Sequence, residues 1–490
     1  MSERLRPRDL AFLAIESPRT PMHNATLEIF DPGESGLDYN RLVDLIADRI
    51  AFVPRYRQRL QWIPGRLATP VWVDDPDFEL AYHVRRSALP RPGDHDQLRE
   101  LVARIASRPL DRSRPLWETY FVEGLAQGRV AILTKSHQIL VDGRETVDIG
   151  QVLLDTEPDR PDLGHDDEWH PQGRPDALSL ALGALTDSIE NPATLLNTAR
   201  ANTASLMRTA NATRQRFGDV AGALAGRKPV ASSPINRRLS QQRRFLSIET
   251  QLDDYKRIRR VHGGTINDVI LATITGGLRG WLMTRTESMA GLKTLRAIVP
   301  MSVIDDELEP TSLGTQVAGH LVHLPISEAS PVMRLHQVSY SFRVHKETGR
   351  GVGAERLTGI AGFAPTTFHA LGSRVAADEL RRGFDLSITN VPGPQFPLYA
   401  GGARMIETYP VHPLFPDHAL SIGVTSYDGG VFYGVTADRD ALPDVDTLGA
   451  CILESLDELK ESASESRQRA PRGRKKTEAP GAARGRRKKK

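Results

Sequence analysis

The stretch 130–143 constrains this chain more than any other. Val130-Ala131-Ile132-Leu133 is an apolar run that turns polar at Lys135 and meets His137-Gln138. An apolar spacer, Ile139-Leu140-Val141, then leads to Asp142-Gly143. This order calls for a buried strand that stops at a turn, because Asp-Gly is a favoured turn dipeptide. It delivers a polar side chain into a cleft and braces it at once. Read alone, His137 stays open between a satisfied core or surface histidine and a functional one, and Asp142 between turn chemistry and a site role. A metal centre is not expected, since no second group of ligating residues accompanies His137.

At 490 residues the chain exceeds one ordinary domain. Residues 1–155 read as an α/β unit. A half-buried strand is predicted over 22–30 and a helix over 38–50, with Leu42, Leu45, Ile46 and Ile50 on one face. A second helix over 97–107 faces inward through Leu98, Leu101, Val102 and Ile105, and strands are expected at 71–73, 116–122 and 130–133. Residues 156–235 read as a Pro-, Asp- and Gly-rich linker followed by bridging helices over 177–228. Residues 236–460 return to α/β character. Strands are predicted at 244–248, 295–303, 316–324, 386–389, 418–427 and 431–437, and helices at 267–283, 331–348 and 445–459. Residues 461–490 form a low-complexity basic tail expected to be disordered.

Composition narrows the class. No run of 18 apolar residues occurs, so no transmembrane helix is expected. Met1 to Pro7 lacks the apolar core of a signal peptide. The single cysteine, Cys451, excludes internal disulfides and multi-cysteine metal sites. Cytoplasmic residence is the resulting expectation. The net charge of +3 conceals an asymmetry: residues 467–490 hold twelve Lys/Arg against one Glu, so the body is mildly acidic.

Other stretches carry simple readings of their own. Thr265, with Asp268 three residues on, reads as a capping box opening the helix at 267–283. Asp268 also suits the positive end of that helix. Trp117, in Arg114-Pro115-Leu116-Trp117-Glu118, reads as a core aromatic entering a strand. Asn390-Val391-Pro392-Gly393-Pro394 reads as a rigid loop closing the strand at 386–389.

Taken in order, these stretches resemble the bacterial wax ester synthase/diacylglycerol acyltransferase family, actinobacterial type. The likeness begins at Leu10-Ala11-Phe12-Leu13 and Pro21-Met22-His23. It continues through Leu89-Pro90-Arg91-Pro92-Gly93, the stretch 110–118, the motif at 137–143, the stretch 265–272 and Val299-Pro300-Met301-Ser302-Val303. It ends at Asn390-Val391-Pro392-Gly393-Pro394, so it spans about residues 8–460. The resemblance implies two chloramphenicol-acetyltransferase-like α/β domains in a condensation-domain-like architecture, with a tunnel at their interface. The implied activity is long-chain acyl-CoA-dependent O-acyl transfer to diacylglycerol or a fatty alcohol, giving triacylglycerol or wax ester. No bound cofactor is implied; acyl-CoA is a co-substrate.

The family motif is His-His, three residues, Asp-Gly, and its second histidine is the general base. Aligned through Asp142-Gly143, the first histidine falls on His137 and the second on Gln138. A glutamine amide orients a hydroxyl but does not usefully take its proton, whereas an imidazole does. Losing a general base costs about 10²–10⁴ in rate. The resemblance thus points to His137, Gln138 and Asn267 as the catalytic candidates. Asp142, Gly143 and Asp268 become structural motif residues, and Pro115, Leu116 and Trp117 line or brace the acyl path. Adjacent strand residues point to opposite faces, so His137 replaces residue 138 only through local rearrangement. His23, His320 and His412 are the other histidines weighed for the site. The alternative reading is a catalytically impaired paralogue that binds acyl-CoA or neutral lipid without turnover. The basic tail reads either as a solvated, solubilising segment or as a match for anionic lipid headgroups, at about 1 kcal/mol per basic residue. Peripheral contact with the inner face of the membrane or with lipid inclusions is the matching expectation. No aromatic residue is interleaved in the tail to stack bases, so no specific nucleic acid partner is expected.

Overall fold

The computed structural model describes residues 3–33, 35–63, 69–141, 147–159, 169–172, 233, 235–285, 292–303, 316–348, 369–371, 373–374 and 383–468. The expected bridging helices at 177–228, the motif residues Asp142 and Gly143, and the basic stretch 469–490 lie outside the described residues.

In the first half, α1 (Pro7–Ile15) leads into β1 (His23–Asp31) and α2 (Tyr39–Arg49). A small ribbon of β2 (Gln58–Gln61) and β3 (Val71–Asp74) follows, then β4 (Val84–Ala88), α3 (His95–Ala106), β5 (Trp117–Glu123) and β6 (Val130–His137). The helices begin where polar side chains can take up free backbone N–H groups. Asp94 accepts from Gln97 N at 2.9 Å, so α3 starts two residues before the predicted 97. The predicted strand at 130–133 runs on to His137 despite Lys135. The buried ammonium of Lys135 is satisfied by the carbonyl oxygens of Arg108 (2.6 Å) and Ile105 (3.3 Å) and by Glu118 (3.4 Å).

The second half contributes β7 (Arg243–Gln251), α4 (Leu252–His262), α5 (Ile266–Thr284), β8 (Leu295–Val303), β9 (Gln316–Leu324) and α6 (Pro331–Thr348). It continues with β10 (Leu386–Pro392), β11 (Tyr399–Ala400), β12 (Ala403–Val411), β13 (Leu420–Tyr427), β14 (Gly430–Asp438) and α7 (Val445–Gln468). Ile270, Ile274, Leu278 and Trp281 of α5 are buried, as their helical spacing predicts. The loop expected at Asn390 is corrected. Asn390, Val391 and Pro392 continue β10 as a parallel partner of β13, with Asn390 opposite Val424 and Pro392 opposite Ser426.

Two six-stranded sheets result, in the orders β11-β12-β1-β6-β5-β4 and β7-β14-β13-β10-β8-β9. Two strands from the 236–460 half thus complete the sheet of the first half, where β12 runs antiparallel to β1. Arg99 of α3 ties the halves together elsewhere, donating to Ser247 O at 2.8 Å and Ser247 Oγ at 3.0 Å on β7.

The crossing strand β12 needs room against the second sheet, and two glycines supply it. Gly423 and Gly434 face each other across β13 and β14. A Cβ on Gly423 would stand 2.5 Å from His412 Nε2, and one on Gly434 would overlap the backbone oxygen of Pro410. A backbone oxygen in an interior strand has nowhere to go. Gly434→Ala is therefore expected to destabilise the protein by about 1–3 kcal/mol, read as a lower urea midpoint with an unchanged slope. An unaltered midpoint would refute the close fit.

Candidate active site

The centre of the first sheet sets the site. β6 lies between β1 and β5, pairing His23 with His137, Asn24 with Ser136, and Ser136 with Trp117. One more bond extends the ladder: Gln138 N–H donates to Met22 O at 2.9 Å. Directly opposed residues share a sheet face, and so do residues two apart on one strand. Asn24, Ser136 and Trp117 thus face one way, and His23 and His137 the other.

Gln138 is fully buried, and both atoms of its amide, Oε1 and Nε2, lack a hydrogen-bond partner among the described residues. Leaving such atoms unsatisfied costs about 1–3 kcal/mol each. Its backbone is firmly held. Arg374 donates to Gln138 O at 2.6 Å and to Val141 O at 3.1 Å, and the same guanidinium pairs with Asp9 of α1.

His137 is equally buried but differently employed. Its Nδ1 accepts the Ile139 N–H at 3.2 Å, and its Nε2 lies 3.4 Å from Glu16 Oε2. Glu16 also accepts from Met22 N at 3.1 Å and from Arg112 Nε at 2.8 Å. Burial alone would raise the Glu16 carboxyl, but His137 and Arg112 outweigh it and hold the group well below the usual carboxylate range. The His137 N–H donates to Leu116 O at 2.9 Å, which ties the start of β5 to the end of β6.

Leu116 and Trp117 are fully buried. Pro115 O accepts the Trp117 N–H at 3.0 Å. The Trp117 indole donates to Tyr56 O at 2.7 Å and stacks on His83 with centroids 4.7 Å apart. The hydroxyl of Tyr56 reaches Ser136 Oγ at 3.2 Å. Across the second sheet, Asn267 and Asn390 meet, Asn390 Nδ2 donating to Asn267 Oδ1 at 2.9 Å. The capping box forms as read: Asp268 N donates to Thr265 Oγ1 at 3.1 Å, and Thr265 N to Asp268 Oδ2 at 2.9 Å. Ser339 adds a third bond to the Asp268 carboxylate, at 2.7 Å.

A second polar group, which the sequence did not single out as a unit, lies where β12 ends. His412 sits beside Thr389 (2.5 Å), Ser373 (3.0 Å) and Asn24 (3.3 Å), while His369 reaches Thr389 at 3.0 Å. Of the histidines weighed earlier, His412 belongs to this group, His23 lies opposite His137, and His320 lies on β9. His369, Ser373 and Arg374 carried no local signal: His369 meets Thr389 and Ser373 meets His412 from other parts of the second half, while Asn24, Gln138, Val141 and Asp9 reach Ser373 and Arg374 from the first half.

Burial, as the largest cause, holds several of these histidines below their ordinary value. His83 falls to about 4 and His412 to about 3, while His369 and His23 lie well below 6.5, with His412 and Lys135 respectively adding to the shift. The unfolded chain takes up these protons near pH 6.5 and the folded chain does not. Their contribution is therefore complete above about pH 6.5 and is lost as the pH falls toward the folded values. His83→Gln is expected to flatten the stability profile between pH 6.5 and 4 by about 3 kcal/mol. Urea titrations at several pH values check this, and parallel curves for the two proteins would contradict it.

The fold has known counterparts. The first condensation domain of the calcium-dependent antibiotic synthetase, in complex with substrate analogue 3a, superposes with a TM-score of 0.52 at 14% identity, covering 94% of this chain and 96% of that one. The wax ester synthase/diacylglycerol acyltransferase from Marinobacter aquaeolei VT8 superposes with a TM-score of 0.63 at 26% identity, covering 94% and 100%. The fold is thus that of an α/β acyltransferase of condensation-domain-like architecture. Residues 5–270 match the wax ester synthase/diacylglycerol acyltransferase catalytic domain, and residues 313–460 match the C-terminal domain of the same family. "Probable diacyglycerol O-acyltransferase tgs3" of Mycobacterium tuberculosis is 42% identical over 262 residues, 53% of this chain and 96% of that one. The chain belongs to the wax ester synthase/diacylglycerol acyltransferase family.

Proposed function

We propose that this protein transfers a long-chain acyl group from CoA to the hydroxyl of diacylglycerol or a fatty alcohol, forming triacylglycerol or wax ester. The observation that carries the reading is the amide of Gln138, buried at the family's base position with both polar atoms unpartnered. A buried amide in that state suits an incoming ligand whose hydroxyl and carbonyl complete its bonds. Gln138 orients the acceptor, Asn267 with Asn390 supports the substrate from the second sheet, and Pro115, Leu116 and Trp117 brace a tunnel between the halves. His137, fixed between Ile139 and Glu16, keeps the end of β6 in register.

The same residue supports a second reading, a lipid-binding paralogue without turnover, because glutamine cannot serve as a base. Purified full-length protein, palmitoyl-CoA and either diacylglycerol or hexadecanol separate the two. Acceptor-dependent release of CoA thiol is expected. Binding of palmitoyl-CoA without release would favour the second reading, and no binding would sink both.

Among the described residues, no helix is long and apolar enough to cross a membrane. We assign contact with water-insoluble substrates to the basic stretch 467–490, acting peripherally on an anionic membrane face or lipid inclusion. Binding to anionic vesicles at low salt that survives deletion of 467–490 would refute this.

A further inference from the structure

The polar group at the end of β12 has a direction. Asn24 Oδ1 can only accept, so the assignment in which Nδ1 of His412, 3.3 Å from it and 3.0 Å from Ser373 Oγ, carries the proton satisfies all three groups. Ser373 Oγ donates to the same oxygen at 3.0 Å. A neutral His412 then has Nε2 free to accept the hydroxyl proton of Thr389, at 2.5 Å. That leaves a lone pair on Thr389 Oγ1 for Nδ1–H of His369, at 3.0 Å. At the head of the relay stands His369 Nε2, a bare acceptor, buried and without a partner among the described residues.

This relay is joined to the motif at two points. Ser373 Oγ also lies 3.2 Å from His369 O, a second acceptor for its single proton, and the next residue, Arg374, holds Gln138 O at 2.6 Å. At the other end, Asn24 opposes Ser136, two residues before Gln138. Gln138 Oε1 and Nε2, Asn24 Nδ2 and His369 Nε2 are each buried and without a partner among the described residues.

We propose that His369 is the general base for acyl transfer in this protein, doing the work that a histidine at residue 138 would do. The inference rests on the acyltransferase reading above. The acceptor oxygen forms a C–O bond to the thioester carbonyl carbon while its proton passes to His369 Nε2. The imidazolium is steadied by Nδ1–H donating to Thr389 Oγ1, itself anchored through His412 to Asn24. Collapse of the tetrahedral adduct breaks the C–S bond, and the departing CoA sulfur takes the proton from Nε2. Ester, CoA thiol and neutral His369 remain. Gln138 orients the acceptor and moves no proton.

The test uses the full chain, with CoA thiol release for turnover and calorimetry for palmitoyl-CoA binding. The proteins are wild type, His369→Gln, Gln138→His and the double variant. His369→Gln is expected to lower kcat about 100-fold while palmitoyl-CoA still binds. Gln138→His is expected to restore turnover in the His369→Gln background, because a base then stands at residue 138. A fall of less than about tenfold in His369→Gln overturns the proposal and leaves acyl transfer standing, with the base elsewhere. A loss that Gln138→His cannot repair also overturns it, marking His369 as structural. Wild type that binds palmitoyl-CoA and releases no thiol overturns this base together with the acyltransferase reading.

Discussion

Gln138→His is expected to raise kcat for CoA release by about 10- to 100-fold with little change in KM. The backbone at residue 138 is already fixed from both sides, by Met22 O and by Arg374, and neither contact uses the side chain. The glutamine amide makes no protein hydrogen bond that an imidazole would forfeit. The gain falls short of the full 10²–10⁴ of a general base, because burial lowers the basicity of the new imidazole and His369 already moves the proton in wild type. Steady-state kinetics with palmitoyl-CoA and diacylglycerol measure the effect. An unchanged kcat would mean that residue 138 does not face the reacting hydroxyl.

Arg374→Met is expected to cost about 3 kcal/mol of stability, since it takes the arginine from a buried ion pair with Asp9. It also removes both donors to Gln138 O and Val141 O. Loosening the turn by about 1 Å would lower kcat by about 10²-fold in addition. Arg374→Lys should rescue little, because one ammonium cannot reproduce a fork that reaches two carbonyls and a carboxylate. Urea unfolding and CoA release report the two effects separately. Pairing Arg374→Met with Asp9→Asn should recover part of the stability but not the turnover. Full recovery of turnover would show that the arginine serves the ion pair alone.

What the sequence disclosed follows from where each element finds its partners. β1, β6, α3 and α5 are held by residues whose apolar spacing is local, so periodicity finds them to within a few residues. The capping box at Thr265 and Asp268 is equally local. β12 escaped because Glu407 and Thr408 interrupt its apolar pattern. In the fold, Glu407 is buried and satisfied by Arg129 (3.3 Å) and Tyr409 (2.7 Å). The strand reading of 386–389 stopped three residues short, because Pro392 suggests a loop until a parallel neighbour supplies the ladder on one side. His369 and Arg374 were invisible for a stronger reason. Their meaning comes from Thr389, His412, Asn24 and Gln138, and only the folded chain brings those residues to them. The family motif located residue 138, but nothing in the linear order shows what stands around it.

The crossing of β12 has a consequence for how the two halves can exist. A polypeptide ending before residue 236 would expose the backbone row of β1 from Ala25 to Asp31, which β12 otherwise covers. Its buried apolar neighbours would then sit at an open sheet edge, a template for aggregation. The remaining polypeptide would carry a complete second sheet and a loose ribbon, β11 and β12, with nothing to pair against. Each fragment lacks what the other holds, so the halves recombine by strand complementation or aggregate, and neither stands as an independent domain.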